Sequence, residues 1–396
     1  MMFASLLIAT PAFAHRSPVD ADLPGGATIL CYHIVESPQD PRMEIGRAAF
    51  RQQMRYLAMT DYTVVPLRDI YEYAAGKRAT LPRNAVAITI DDGWRSTYTE
   101  AFPELKKRHF PFTVFIYPKI IGQTAYALTW KQVREMAEAG VDVESHSYSH
   151  PFLTKRRQTT LDDKQYKEWL QRELVESKRI LERETGRPVS FLAYPYGDFD
   201  HFLAADVKKA GYEGALTCEY GRVTHGMNPF RLKRVVIDKR MDFTAFRRYL
   251  GARPMPLEEM SPQPGQTLDP GQVMVTVSAK IPNYKELDPK SVGIALLSMS
   301  SGSIPYTYDA QNGSISLVVN DVLTGTLHRA LVWATEKSGR RLEASWTFRF
   351  PDLSDPAVCP PIDPVALPLR SGRADTRSGA VSASRAPAGG APRLQN

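Results

Sequence analysis

Two adjacent carboxylates, Asp91 and Asp92 of "TIDDGW", follow the apolar run "AVAI", where a buried strand is expected to end. A second polar cluster, "SHSYSH", follows the strand-like run "VDVE" and sets His146 and His150 four positions apart. On one helical turn, or on a loop rounding into one, that spacing brings two imidazoles to a single point. One carboxylate and two neutral imidazoles suit zinc or a similar divalent ion and leave a position for water. The two aspartates can then divide the work, one binding the cation and the other, unligated, removing a proton from the attacking water. Asp at a helix start also caps orphan amides, which accounts for one carboxylate but poorly for two beside two histidines.

These residues need a scaffold that brings distant segments together. From residue 28 to about 237, short β-rich runs ("TILCY", "TVV", "AVAITI", "FTVFIY", "VDVES", "VSFLAY", "EGALT", "RLKRVVI") alternate with longer amphipathic ones. Several of the runs lack strict apolar-polar alternation, as expected of strands covered on both faces by helices. Phe50, Met54 and Leu57 recur at helical spacing, as do Leu170, Leu174 and Leu181, and then Phe202, Leu203, Val207 and Ala210. The glycines of "EAGVDV", "ETGRPV" and "KAGYEG" sit where a helix stops before the next strand. Repeated βα units predict an α/β domain, and about eight strands allow a distorted (β/α) barrel. Both polar clusters then open βα loops, which share the carboxyl-end face on which such sites are built.

Prolines 254, 256, 262, 264 and 270 mark a linker at 251–270. Residues 271–351 then offer short strand-like runs with Gly and Asn turns, predicting a small all-β sandwich that resembles immunoglobulin-like modules. Alternation around Val332, Trp333, Trp346, Phe348 and Phe350 reads as a core face rather than a carbohydrate platform. The stretch 352–396, rich in Pro, Ala, Ser and Arg, lacks the apolar periodicity of a core and is expected to be a disordered tail. At the other end, a short apolar stretch and "AFA" predict a signal peptide at 1–14, and hence a periplasmic or secreted protein. No other segment approaches a transmembrane span.

The formal charge of +7 is dispersed, without the aromatic-basic blocks that track nucleic acid, so nucleic acid is not an expected partner. Cys31, Cys218 and Cys359 lack zinc-site or disulfide-framework spacing. Cys31 and Cys218 read as small buried core residues, although an oxidising compartment would permit a disulfide between them.

The segment from about 28 to 237 resembles the polysaccharide deacetylase family, also called the NodB homology domain or carbohydrate esterase family four, on the strength of "TIDD" and "HSYSH". The resemblance implies a deacetylase domain at 24–250, with Asp91 as catalytic base and Asp92, His146 and His150 as ligands of one divalent metal ion. Zinc is the first expectation, and nickel, cobalt and manganese are the alternatives. The family's Arg-x-Pro-Tyr motif stands here as "AYPYG", with Ala193 in place of the arginine that orients the base. Pro195 and Tyr196 match it, and Tyr196 inherits the role of a backbone amide donor to the oxyanion. Arg234 of "RLKRVVI" is the candidate to replace the missing arginine from another strand. No Leu-x-His triplet supplies the family's general acid, which leaves His225 as the only nearby histidine. His33 of "CYHIVES", Trp94, Pro195 and Tyr196 are expected to face the substrate, an N-acetylated polysaccharide outside the cytoplasm. The altered motif and the absent triplet point to the exopolysaccharide (poly-N-acetylglucosamine) deacetylases. Two other readings stay open: an O-acetyl esterase acting on a polysaccharide such as xylan, and a catalytically impaired carbohydrate-binding or surface-assembly protein.

Overall fold

Eight parallel strands make the larger sheet of the computed structural model: β1 (Thr28–Tyr32), β2 (Thr63–Val64), β3 (Ala85–Asp92), β4 (Thr113–Ile116), β5 (Asp142–Ser145), β6 (Phe191–Ala193), β7 (Gly214–Leu216) and β8 (Val235–Val236). The structure describes residues 26–36, 43–155, 158, 160–268, 274–297, 304–320 and 327–349. The expected signal peptide at 1–14, Phe350, Cys359 and the tail at 352–396 lie outside the described residues.

In space the order is β8-β1-β3-β4-β5-β6-β7, with β2 beside the first half of β3. The sheet curls into a half-open barrel. Its far edge approaches the segment leading into β8 through one parallel bridge, Leu216–Leu232, where the Thr217 amide donates to the Leu232 carbonyl at 2.8 Å.

Every residue of β1 and β4 is buried, as both-face coverage requires. Leu30, Ile88, Val114 and Leu192 pack outward against α1 (Arg47–Met59), α4 (Trp130–Glu138) and α7 (His201–Lys209), which bury Phe50, Met54, Leu57, Val133, Met136, Leu203 and Val207. The alternate residues Ile29, Ala87, Phe115 and Phe191 fill the interior together with Ile70 and Tyr71 of α2 (Leu67–Ala74). Phe202 departs from its expected place on the apolar stripe: it is 70% exposed, because it lies about 100° around the helix from Leu203. Gly186 ends α6 (Ser177–Thr185) in the left-handed region at φ 67°, a conformation that costs glycine nothing.

Apart from a short parallel pair, Ile34–Val35 with Glu44–Ile45, the remaining strands are β9 (Arg253–Pro254), β10 (Glu258–Ser261), β11 (Val275–Lys280), β12 (Gly293–Leu296), β13 (Tyr306–Asp309), β14 (Ser314–Val319), β15 (Leu327–Thr335) and β16 (Arg341–Arg349). Strands β9 to β16 form two four-stranded sheets, β9-β16-β15-β12 and β10-β11-β14-β13. The sheets share one core built from Val277, Ile294, Leu317, Val332, Trp346 and Phe348. Trp333 is only partly buried and lies over Gly293, where an added Cβ would come within 2.4 Å of its ring.

The stretch expected to be a linker is instead part of this module. It contributes β9 and β10, and Met255 and Leu268 enter the core. Of its prolines only Pro254 falls within a strand, at a sheet edge where a missing amide donor breaks no ladder; Pro256, Pro262 and Pro264 lie outside the strands, and Pro270 lies outside the described residues.

Candidate active site

Strands β3, β5 and β6 end at the same face of the barrel, and the loops leaving them carry the polar clusters. "HSYSH" is not helical. It is a tight loop in which Ser147 and His150 take φ of 63° and 61°. Buried Glu173 shapes it, accepting the amides of Tyr148 and Ser149 at 3.0 and 2.9 Å and the Ser149 hydroxyl at 2.6 Å. The Ser147 hydroxyl accepts the His150 amide at 3.0 Å, and Ser177 donates to the Ser147 carbonyl at 2.9 Å.

This turn brings His146 Nε2 and His150 Nε2 each to 3.4 Å from Asp92 Oδ1. The three ligand atoms lie within 4.8 Å of one another. Asp92 Oδ1 is a buried oxygen with no hydrogen-bond partner, while Trp94 donates from its indole to Oδ2 at 2.9 Å. His146 Nδ1 lies 2.7 Å from the Ala193 carbonyl. A carbonyl can only accept, so Nδ1 carries the proton and Nε2 presents its lone pair toward Asp92. A buried orphan oxygen and two imidazole nitrogens converging on one point are what a divalent cation requires, and the donor set fits one.

Burial alone would raise the Asp92 carboxyl, but the imidazoles of His146, His33 and His150 close around it outweigh burial and keep it ionised. Burial, reinforced by His146, lowers His150 to about 4, so that ring stays neutral and able to ligate. The carboxylates offset burial at His146 and raise it.

Asp91 lies beside this triad without belonging to it. Arg234, fully buried, donates from Nη1 to Asp91 Oδ1 at 2.8 Å and to the Thr89 hydroxyl at 3.3 Å, and from Nε to the Thr217 carbonyl at 3.0 Å. Burial would raise the Asp91 carboxyl, yet Arg234, His146 and His33 hold it below the ordinary carboxylate range. Its Oδ2 lies 3.9 Å from His146 Nε2 and accepts from the Cys31 thiol at 3.5 Å. Cys31 and Cys218 are free thiols. His33 joins Cys31 and Asp91 in a second group whose ligand atoms lie within 4.8 Å of one another, and its Nδ1 is buried without a partner.

Pro195, Tyr196 and Gly197 form a single turn in which Tyr196 takes φ 61° and is half exposed. The Tyr196 ring stacks on Phe152 at 4.1 Å and meets the His150 ring at 4.6 Å. The structure thus gathers Asp91, Asp92, His146, His150, Arg234, His33, Trp94, Pro195 and Tyr196 around one face. It does not bring His225 there. That exposed ring lies 5.2 Å from Tyr73, just beyond the Val223–Ala27 bridge at the amino end of β1, opposite the cluster. Sequence reasoning missed Cys31 and Glu173 as supports. Cys31 could have been found from its place two residues before His33 on a strand beside β3, whereas Glu173 carries no local signal.

The sequence profile of the polysaccharide deacetylases matches residues 78–215. The poly-β-1,6-N-acetyl-D-glucosamine N-deacetylase of Staphylococcus epidermidis is 29% identical over 194 residues, 48% of this chain and 66% of its own length. YxkH of Bacillus subtilis, which also bears a polysaccharide deacetylase name, is 28% identical over 236 residues, 59% of this chain and 78% of its own. Among solved structures, IcaB from Ammonifex degensii superposes with a TM-score of 0.51 at 25% identity, covering 58% of this chain and 98% of that one.

Proposed function

We infer that this chain, through the polysaccharide deacetylase domain it carries, is a metal-dependent hydrolase removing acetyl groups from an N-acetylated polysaccharide. The observation that carries the reading is the pairing at one loop face of Asp92 Oδ1, 3.4 Å from two imidazoles, with Asp91, held by Arg234 at 2.8 Å. Asp92, His146 and His150 would hold the cation, for which zinc is our choice. Such an ion polarises a carbonyl and acidifies water when bound.

The remaining work belongs to the chain. Asp91 takes a proton from the water that attacks the acetyl carbonyl. Arg234 keeps it ionised and fixed in aim, the task that the arginine missing at Ala193 would otherwise perform. The Tyr196 backbone amide donates to the oxygen that gains negative charge. Collapse breaks the amide C–N bond, and the proton held on Asp91 passes to the departing nitrogen, giving acetate and a free amino sugar. His33, Trp94, Pro195 and the Tyr196 ring line the approach of the sugar, with Trp94 also steadying Asp92.

We take poly-β-1,6-linked N-acetylglucosamine as the substrate because the Staphylococcus epidermidis relative bears that name. We place the reaction outside the cytoplasm on the leader-like "AFA"; no helix among the described residues is long and apolar enough to cross a membrane. The two four-stranded sheets we read as an immunoglobulin-like sandwich. The test is acetate release by zinc-loaded protein from β-1,6-linked N-acetylglucosamine oligomers, chitin oligomers, peptidoglycan and acetylated xylan, with metal content measured for wild type, His146→Ala and His150→Ala. Release chiefly from the β-1,6 oligomers, with metal lost in both variants, is expected. Preference for xylan would overturn the amide chemistry, and unchanged metal content would overturn the ligand set.

A further inference from the structure

Strand β16 has two faces of opposite character. Trp346 and Phe348 point into the sandwich core, while the alternate residues Ser345, Thr347 and Arg349 are buried polar groups turned toward the barrel. Ser345 donates to the Tyr220 carbonyl at 2.7 Å, and its own carbonyl accepts from Lys233 at 3.0 Å. Thr347 donates from its amide and hydroxyl to Glu219 Oε1 at 3.1 and 3.0 Å.

Arg349, fully buried, donates from Nε and Nη2 to Asp198 Oδ1 at 3.0 and 2.8 Å. It also donates to the carbonyl of Phe199 and, at 3.3 Å, to that of Gly265. Asp198 stands two residues after Tyr196, and its amide donates to the Pro195 carbonyl at 3.1 Å, closing the Tyr196 turn. Its other carboxylate oxygen accepts from the buried Thr154 hydroxyl at 2.7 Å, four residues past His150. One carboxylate therefore ties the oxyanion turn to the chain leaving the histidine loop, and the guanidinium that fixes it comes from the other module.

We propose that Arg349 is a positioning residue of the active site, acting through Asp198 to hold the Tyr196 turn and the end of the His150 loop in register, so that the sandwich is a working part of the deacetylase. Lysine cannot reproduce the contact, since one ammonium cannot keep the forked pair to Asp198 while also serving Phe199 and Gly265. The turn needs outside support because Tyr196 and His150 both hold left-handed backbone that local sequence does not favour. A shift of about 1 Å in a positioned group costs on the order of 10²-fold in rate.

The proposal uses the deacetylase reading for its rate effect and stands independently of it for its geometry, so the full chain is tested both ways. Arg349→Met, Arg349→Lys, Asp198→Asn and the Arg349→Met/Asp198→Asn double variant are compared with wild type. The readouts are kcat and KM for acetate release, zinc content, melting temperature and amide hydrogen exchange. Expected for Arg349→Met are a kcat lower by about 10- to 100-fold per folded molecule, nearly unchanged KM and full zinc content. Arg349→Lys should be intermediate, and the double variant no worse than the poorer single one. Exchange should speed up at 150–154 and 196–199 while β3 stays protected. Unchanged exchange in those two segments in the well-folded Arg349→Lys protein would overturn the proposal. So would a kcat loss that only tracks the unfolded fraction. If wild type releases no acetate, the functional reading fails and the exchange pattern alone decides this one.

Discussion

The barrel and the sandwich bury apolar residues comparably well, yet only one of them concentrates chemistry. Parallel strands all end on the same face, so β3, β5 and β6, separated in sequence by whole helices, deliver Asp91, Asp92, the histidine loop and the Tyr196 turn to one place. Antiparallel strands send successive ends in opposite directions. Among the described residues, neither group of ligand-type side chains close enough to share a cation includes a sandwich residue. What the sandwich has instead is a strand whose two faces do different jobs, one apolar and one polar.

That contrast can be broken most sharply at Asp91, the proposed base. Asp91→Asn should leave folding and metal content intact and reduce acetate release by on the order of 10²- to 10⁴-fold. Steady-state assays on metal-loaded protein will show this, and near-normal turnover would move the base elsewhere. Phe348→Ala is the counterpart in the sandwich. Emptying that fully buried site should lower stability by about 3–5 kcal/mol in urea unfolding, with zinc content unchanged.

A finer test is Arg234→Gln. Asp91 sits below the ordinary carboxyl range because Arg234 and the histidines outweigh burial. The base is therefore ionised above a depressed pKa, and removing the cation lets burial push that value up. The acid limb of the kcat/KM profile should move to higher pH. An unshifted limb would mean that Arg234 does not set the base.

The smallest effect belongs to the junction of the two regions. Burial would raise Glu219, but Arg231, Lys233 and Thr347 lower it. Its contribution is present above the ordinary carboxyl pKa and is lost as pH falls through the depressed one. Melting temperature should therefore fall more steeply on the acid side for wild type than for Glu219→Gln, and parallel curves would remove Glu219 from the junction.

Much of the site was legible because its residues sit next to strong local signals. The apolar runs before "DDGW" and "SHSYSH" announced strand ends, and strand ends in a parallel sheet share a face. Arg234 could be nominated because a missing arginine left a carboxylate wanting a cation. His225 could not be placed from the sequence, since proximity along the chain to β8 says nothing about which end of the barrel a loop occupies. The four-residue histidine spacing left a helical turn and a loop both open, and Glu173, distant in sequence, folds it into a loop. The prolines of 251–270 signalled a break in pattern, and edge strands satisfy that signal as well as a linker does. The polar face of β16 was present in "EASWTFRF", but alternation alone does not say that the polar side meets protein rather than water.

Asp92, Ser147, His150 and Tyr196 share one more property, a left-handed backbone in residues that are not glycine. Each such residue costs on the order of 1–2 kcal/mol relative to an ordinary conformation. A library selected only for heat resistance would therefore be drawn to glycine at these points, Ser147 above all. Every such gain would take away a side chain that belongs to the proposed ligand set or packs beside it, or one that orders its loop, as the Ser147 hydroxyl does by accepting the His150 amide at 3.0 Å. Heat tolerance and turnover are opposed at these four positions, so thermostabilisation should begin in the sandwich core and leave the turns alone.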